Sequence, residues 1–221
     1  MKKTYLPLLG LLLIGISCKK SSSTSTPDAP KYMDFTAGST WKYQTTNNLT
    51  AAISLNTRTS TSRDSTITGR IYHVFTNSDG TPNEYYNITA TTSGNDYYTF
   101  RSLGAALGNL SVESIYLKDN AAVGTSWSMT VPVPVTGLGT VPVTLTNTIT
   151  EKGISRTVSG IAYTNVIHTT TTISVPGLPP GTIITDIQSY YAPKSGMIEG
   201  KYKVSAAALS VNIDQNTILV P

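Results

Sequence analysis

Histidine, cysteine and carboxylate side chains carry most acid–base and metal chemistry in proteins, and this sequence uses them sparingly. It has one Cys, two His and twelve Asp and Glu in 221 residues. His73 and His168 stand alone in segments rich in Thr, Val and Tyr, so neither belongs to a metal-binding motif. The segment 77–84 has oxygen side chains at alternate positions, but it lacks the ligand spacing of a calcium loop. We expect no metal site and no cofactor, and we interpret both histidines as structural.

Hydroxyl groups are the abundant potential nucleophiles, because the sequence contains 36 Thr and 24 Ser. Local sequence does not select one of these sixty residues, and no G-x-S-x-G nucleophile motif is present. Glycoside hydrolysis instead needs two carboxylates facing each other across a cleft. The residues that could supply such a pair are Asp34, Glu84, Glu113 and Glu151. Nothing in the sequence separates them from scattered surface charges, so we predict no catalytic residue.

Aromatic residues are more distinctive candidates for ligand contact. Tyrosine occurs in adjacent pairs at 85–86, 97–98 and 190–191. Neighbouring residues of a strand point to opposite faces, so one ring of each pair should face the core and the other should face outward or into a cleft. Each Trp follows a Gly turn in a repeated pattern, at 37–43 and 123–129, which indicates two related sub-sheets. We favour core packing for both Trp, with stacking on a ligand as the alternative. The residues that could contact a ligand are Trp41, Trp127, Tyr86, Tyr98 and Tyr191.

The N-terminus predicts export and lipidation. Two lysines precede an apolar run at 6–16, which is too short to cross a bilayer but is typical of a signal peptide. Residues 15–18, Gly-Ile-Ser-Cys, resemble the lipobox of bacterial lipoproteins, in which the Cys is lipidated and becomes the first mature residue. Gly15 departs from the commoner Leu. We predict a signal peptide over 1–17, a lipidated Cys18 with a flexible tether over 18–30, and a body over 31–221. An ordinary secretory signal with a chance Cys is the alternative.

The charge of the chain lies mainly in its leader. The formal net charge is +4, but from residue 31 onward there are 12 Lys and Arg against 11 Asp and Glu. The body is therefore nearly neutral, and no basic stripe interleaved with aromatic residues is present. This pattern argues against nucleic acid as a partner.

The elements that must position these side chains are β-strands. Short alternating segments separated by Gly, Pro, Asn and Asp follow one another from residue 39 onward. We predict a turn at Asp79–Gly80 and a weak helix candidate over 102–110. The predicted strands are 40–46, 50–59, 65–76, 84–91, 97–101, 114–117, 127–135, 141–151, 154–158, 166–175, 182–191 and 197–213.

The segment 130–146 is the clearest predicted hairpin. Val and Leu alternate along both of its arms, and Pro132, Pro134 and Pro142 occupy the opposite parity. Proline has no N–H to give to a neighbouring strand, so we expect this hairpin at a sheet edge.

Four segments resemble uncharacterised β-rich lipoproteins of Bacteroidota. These segments are the G-x-x-W-x-Y start at 38–43, VGTSWS at 123–128, TVSGIAYTNVIHTTTT at 157–172 and the Y-Y-A-x-x-x-G end at 190–196. Ser195, Met197, Ile198 and Glu199 depart from the V-G-L-V-K that commonly closes the end motif. The resemblance implies an exported, anchored, β-rich domain, and it brings no catalytic residues with it.

These observations predict an all-β fold, a single antiparallel meander domain whose curved sheet forms a half-barrel or sandwich. We expect an outer-membrane lipoprotein, anchored through the lipid on Cys18, at the periplasmic face or the cell surface. Its expected role is non-catalytic, as a binding or structural module of the cell envelope, with an apolar or glycan ligand as partner. A hydrolase acting on glycans is the alternative.

Overall fold

The computed structural model describes residues 30–102, 110–135, 139–179, 181–207 and 211–221. These residues form twelve antiparallel strands in one sheet, with no α-helix among them. The strands are β1 (Thr40–Asn47), β2 (Ile53–Ile67), β3 (Arg70–Asn77), β4 (Glu84–Ala90), β5 (Asn95–Ser102), β6 (Ser111–Lys118), β7 (Ser126–Val135), β8 (Gly139–Val158), β9 (Ile161–Ser174), β10 (Ile184–Ala192), β11 (Gly196–Ala206) and β12 (Val211–Val220).

The sheet consists of two six-stranded meanders, β1–β6 and β7–β12, joined where β1 pairs with β12. Each copy of the Gly-turn–Trp pattern marks the first strand of one meander. The two outer strands, β6 and β7, meet through side chains: Trp127 Nε1 donates to the carbonyl of Ile115 at 2.8 Å. The sheet is thus nearly closed and barrel-like, which confirms the predicted all-β meander with a half-barrel curvature.

Several strand boundaries differ from the prediction. The turn between β2 and β3 lies at Thr68–Gly69, where both residues have positive φ angles (48° and 83°), and not in the segment 60–64. The predicted strand 197–213 is two strands, β11 and β12. The predicted strands 141–151 and 154–158 are one strand, β8, because bulges around Gly153 bend it without ending it. The turn at Asp79–Gly80 is present, with Gly80 at φ 76°.

The proline-rich hairpin lies where its composition predicted. β7 is an outer strand of the sheet, and Pro132 pairs with Pro142 of β8. The pairing of β8 with β9 begins only at Thr144, so Pro142 also faces a free edge. Residues 136–138 of this hairpin, and 103–109 of the helix candidate, lie outside the described residues.

The main apolar core fills one end of the interior of the curved sheet. Its members come from strands on all sides and include Trp41, Phe75, Tyr97, Ile149 and Ile167. Alternation places one residue in two on the inner face, and most strands contribute one or two side chains to this core.

The N-terminal segment before β1 closes this end. Tyr32 donates its N–H to the hydroxyl of Tyr97 at 3.0 Å and its own hydroxyl to the carbonyl of Asn165 at 2.6 Å. Met33, next along the chain, is 5% exposed. The start of the body is therefore fixed on the closed end of the sheet.

A smaller apolar cluster lies on the outer face, around Tyr190 and Ile198. The far end of the β8–β9 hairpin covers it, and Ser159 Oγ donates to the carbonyl of Leu219 at 2.8 Å. Arg156 lies 3.5 Å over the Tyr190 ring and forms paired hydrogen bonds with Glu199 at 2.6 and 2.7 Å. The two rings of the pair 190–191 therefore lie on opposite faces of the sheet, and the outer one, Tyr190, is covered and not open to solvent.

Candidate ligand-binding cavity

An internal cavity of about 250 Å³ lies between the core and the other end of the sheet. Met33 of the closing segment is among its lining residues, as are Met197 and Ile187. Tyrosine and arginine side chains supply most of the rest of its wall. These residues are Tyr86, Tyr116, Tyr191, Tyr202, Arg58 and Arg101.

The cavity exists because small residues face large ones across the sheet interior. Ser189, Gly200 and Thr217 pair side by side on β10, β11 and β12. None of them reaches far into the interior, whereas Tyr86 and Tyr116 project from β4 and β6 of the other meander. Alternation alone thus leaves an open volume at this level of the sheet.

Arg58 and Glu84 form a salt bridge at the cavity wall, with 2.8 Å between Arg58 Nη2 and Glu84 Oε2 and little exposure of either side chain. The hydroxyl of Tyr86 also donates to Glu84. The guanidinium of Arg58 lies 5.0 Å from the ring centre of Tyr43 and 5.2 Å from that of Tyr86. Its Nε–H is buried and has no acceptor among the described residues.

Attraction between opposite charges outweighs burial in setting the pKa values of Arg58 and Glu84. Burial raises the pKa of Glu84, but the positive charges of Arg58 and Arg101 outweigh it and hold that pKa below its ordinary value. Burial lowers the pKa of Arg58, whereas Tyr86, Tyr43 and Glu84 together raise it above its ordinary value. Both members therefore stay charged at neutral pH.

Arg101 adds a further positive charge to the cavity. Its side chain contributes to the lining, and no ion pair with it forms within the described part of the chain. The tyrosine rings of the wall contact one another: Tyr86 and Tyr116 meet edge to face with centroids 5.7 Å apart, and Tyr116 and Tyr191 are tilted with centroids 5.5 Å apart. The result is an aromatic wall beside an exposed guanidinium that has no ion-pair partner among the described residues.

The five aromatic residues proposed from sequence do not form one site. Tyr86 and Tyr191 line the cavity together. Trp41 is 7% exposed and packs in the core, with 5.8 Å between its ring centroid and that of Phe75. Tyr98 and Trp127 line a separate depression between β6 and β7. The predicted Cys18 lies outside the described residues.

Four of the tyrosines and arginines that line the cavity were not among the sequence candidates: Arg58, Arg101, Tyr116 and Tyr202. Each belongs to a strand that the sequence predicted in whole or in part, but which parity faces inward follows only from the register with neighbouring strands. A bulge between Tyr97 and Tyr98 shifts that register in β5 and β6.

The four candidate carboxylates lie apart from one another. Glu84 is inside the sheet, and Glu113 is on the opposite face in a salt bridge with an arginine. Glu151 accepts from a histidine, and Asp34 caps the turn before β1. Within the described ranges, no group of three His, Cys, Asp or Glu side chains could hold a metal ion. These carboxylates do not form the facing pair that glycoside hydrolysis requires.

A Ser–His–Asp chain is present inside the sheet, at a bulge between β2 and β3. Ser60 Oγ lies 2.9 Å from His73 Nε2, and His73 Nδ1 lies 3.0 Å from Asp64 Oδ1. The connectivity is that of a catalytic triad. Ser60 is only 1% exposed, however, its N–H donates to the carbonyl of Ser39, and Phe35 stacks on the His73 ring at 4.9 Å. We interpret the three side chains as a hydrogen-bond chain that runs from the buried Ser60 to the exposed Asp64 and holds the bulge.

Comparisons with known proteins give limited information. No family model matches the sequence, and no curated protein matches it significantly. The fold is similar to the crystal structure of a candidate lipoprotein from Parabacteroides distasonis, with a TM-score of 0.43 and 12% identity over 87% of this chain and 98% of that one. It is also similar to a candidate exported protein with a YmcC-like fold from Bacteroides fragilis, with a TM-score of 0.41 and 8% identity over 86% of this chain and 98% of that one. The described residues contain no helix long and apolar enough to cross a membrane.

Proposed function

We propose that this chain is a lipid-anchored lipoprotein of the bacterial outer membrane whose body binds a small molecule without transforming it. The observation that carries the proposal is the cavity of about 250 Å³ inside the sheet, lined by four tyrosines and two arginines. Binding pockets are enclosed, largely apolar and aromatic, and carry a few placed polar groups, at volumes of roughly 300–1,000 Å³ for drug-sized ligands. This cavity therefore suits a small molecule or one end of a longer one.

The position of the anchor supports access to this cavity. The described chain begins at Pro30, at the closed end of the sheet, twelve positions after Cys18. The cavity lies toward the opposite end, where Tyr202 is 41% exposed. A body tethered at its closed end would present the cavity away from the membrane, at the periplasmic face or at the cell surface.

Replacement of the proposed lipidation site is expected to release the protein from the membrane. Several acyl chains on one residue give essentially permanent anchoring, because each buried methylene contributes about 0.8 kcal/mol. We expect full-length protein produced in a Bacteroidota host to incorporate an alkyne-labelled fatty acid and to sediment with outer membranes. Cys18→Ala should abolish both properties, and the tether variant Ser21→Ala should abolish neither. Membrane association of Cys18→Ala equal to that of the wild type would contradict the anchor.

Native mass spectrometry tests the binding role. The body, residues 31–221, contains every strand and both apolar clusters, and it would be exported to the periplasm and purified without detergent. We expect the native mass to exceed the denatured mass by that of a small molecule. Ser189→Phe would fill the cavity from its small-residue wall and should remove this difference.

The control for this experiment is Ser155→Phe, which adds the same ring at an exposed position of β8. It should retain the bound mass. A wild-type body with equal native and denatured masses, or a Ser189→Phe body that retains the ligand, would contradict binding in the cavity. A structural role for the lipoprotein would then take precedence.

A further inference from the structure

The charges around the cavity do not cancel. Arg58 is paired with Glu84 at 2.8 Å, and Lys201, another lining residue, is paired with Asp186 at 2.5 Å. Arg101 has no such partner among the described residues, although every Asp and Glu from residue 31 onward is described. The cavity therefore has one uncompensated positive charge.

A hydrogen-bond donor in the wall is also left without an acceptor. Arg58 Nε–H is buried and unpaired within the described part of the chain. A buried donor without a partner is unfavourable, and a ligand with acceptor atoms would satisfy it. An acceptor-rich, negatively charged group fits both the charge and this donor.

The rest of the wall favours an apolar or aromatic body on that group. The ring of Tyr116 packs edge to face on Tyr86 and tilted on Tyr191, and Met33 and Met197 add polarisable apolar surface. A volume of about 250 Å³ accommodates a two-ring aromatic molecule but not an extended lipid.

We infer that the cavity binds a small organic anion, an apolar or aromatic body carrying one carboxylate or sulfonate, with Arg101 as the residue that binds the charged group. The inference rests on the proposed binding function and names its ligand class. A guanidinium presents several N–H donors in a plane that matches a carboxylate.

Other ligand classes fit less well. A cation would need a free carboxylate, but Glu84 already accepts from Arg58 and Tyr86. A glycan would need an exposed aromatic platform, and Trp41 is buried in the core while Trp127 lies in a different depression.

The test uses a matched pair of probes, 2-naphthoate and its neutral amide, 2-naphthamide, with affinities measured by isothermal titration calorimetry on full-length mature protein in detergent. We expect the wild type to bind the carboxylate at least tenfold more tightly than the amide. Arg101→Gln should reduce that ratio to within twofold of one. Arg63→Gln removes an exposed cation of β2 and should leave the ratio as in the wild type.

Each result separates the two proposals. Equal wild-type affinities for the two probes would overturn the anion assignment and leave the cavity as a binding site. A carboxylate preference that survives Arg101→Gln would overturn the role of Arg101. Binding of neither probe to the wild type, together with equal native and denatured masses, would overturn both the ligand class and the proposed function.

Discussion

Raising the pH from 9 to 12 is expected to unfold the body in one steep transition, in which the buried tyrosines ionise together. Tyrosines that are less than 9% exposed occur at seven positions: Tyr32, Tyr43, Tyr72, Tyr86, Tyr97, Tyr190 and Tyr191. Burial raises the pKa of each of these hydroxyls above its ordinary value of 10.0, because the anion would lose its hydration inside the sheet.

The direction of these pKa shifts determines how the stability of the body changes with pH. A tyrosine whose pKa is higher in the folded state contributes stability that is fully present below pH 10 and is lost as the pH rises toward the folded-state pKa. Each such group removes about 1.4 kcal/mol per pH unit once it ionises in the unfolded chain and not in the folded one. Seven such groups together lower the free energy of unfolding by at most roughly 10 kcal/mol per pH unit. A rise of about one pH unit therefore removes most of the stability of a typical domain.

Tyrosinate absorbance at 295 nm and far-ultraviolet circular dichroism, recorded on the same samples, check this expectation. The two signals should change with one midpoint above pH 10. Tyr72→Phe removes a buried hydroxyl that has no hydrogen-bond partner among the described residues. The number of protons released in the unfolding transition should therefore fall by about one, and stability at pH 7 should not decrease. Ile149→Val should lower the midpoint pH of unfolding, because the lost packing costs about 1 kcal/mol, and it should leave the steepness of the transition unchanged. Tyrosines that ionise gradually while the dichroism stays native would contradict the argument.

The fold was predictable because strand signals are local. The alternation of Val and Pro over 130–146 required an edge hairpin whatever the rest of the chain did. The turn at Thr68–Gly69 was missed because Ile67 and Arg70 continue the β-rich composition on both sides, and only the backbone shows the two positive φ angles. The burial of Tyr190 was also missed, since it depends on a hairpin that folds back over the outer face.

The cavity was less predictable, for a physical reason. Which parity of β5 and β6 faces inward depends on a bulge that local composition does not mark. The open volume depends on Ser189, Gly200 and Thr217 meeting side by side, although they lie 11 and 17 residues apart in the chain. Tyr86 and Tyr191 could be nominated from sequence because paired tyrosines in strands must place one ring inside. Arg101 could not be nominated, because it is exposed, as an arginine in a strand normally is, and only the fold places it beside the cavity.

Breaking the ion pair at the cavity wall is the second change with a large expected effect. Arg58→Met leaves the carboxylate of Glu84 inside the sheet with the Tyr86 hydroxyl as its remaining donor. Removal of one member of a buried pair costs about 3–5 kcal/mol, because the other charge stays buried without compensation. Glu84→Gln should cost a similar amount for the same reason. The pair of Lys203 and Asp214 is the comparison, because its lysine is 47% exposed, and Lys203→Met should cost much less than Arg58→Met.

Urea unfolding at pH 7 and pH 4 of wild type, both single variants and the double variant Arg58→Met/Glu84→Gln measures the coupling. The double variant should cost less than the sum of the two singles by several kcal/mol, because neither charge is then stranded. The pH dependence should also invert. In the wild type the pKa of Glu84 is lowered, so its contribution is complete above about pH 4.5 and is lost as the pH falls through the folded-state value. In Arg58→Met the same carboxylate keeps its burial but loses its nearest cation, so protonation at pH 4 should recover part of the lost stability. A cost for Arg58→Met as small as that for Lys203→Met, at both pH values, would mean that water reaches the pair and that the cavity wall is open to solvent.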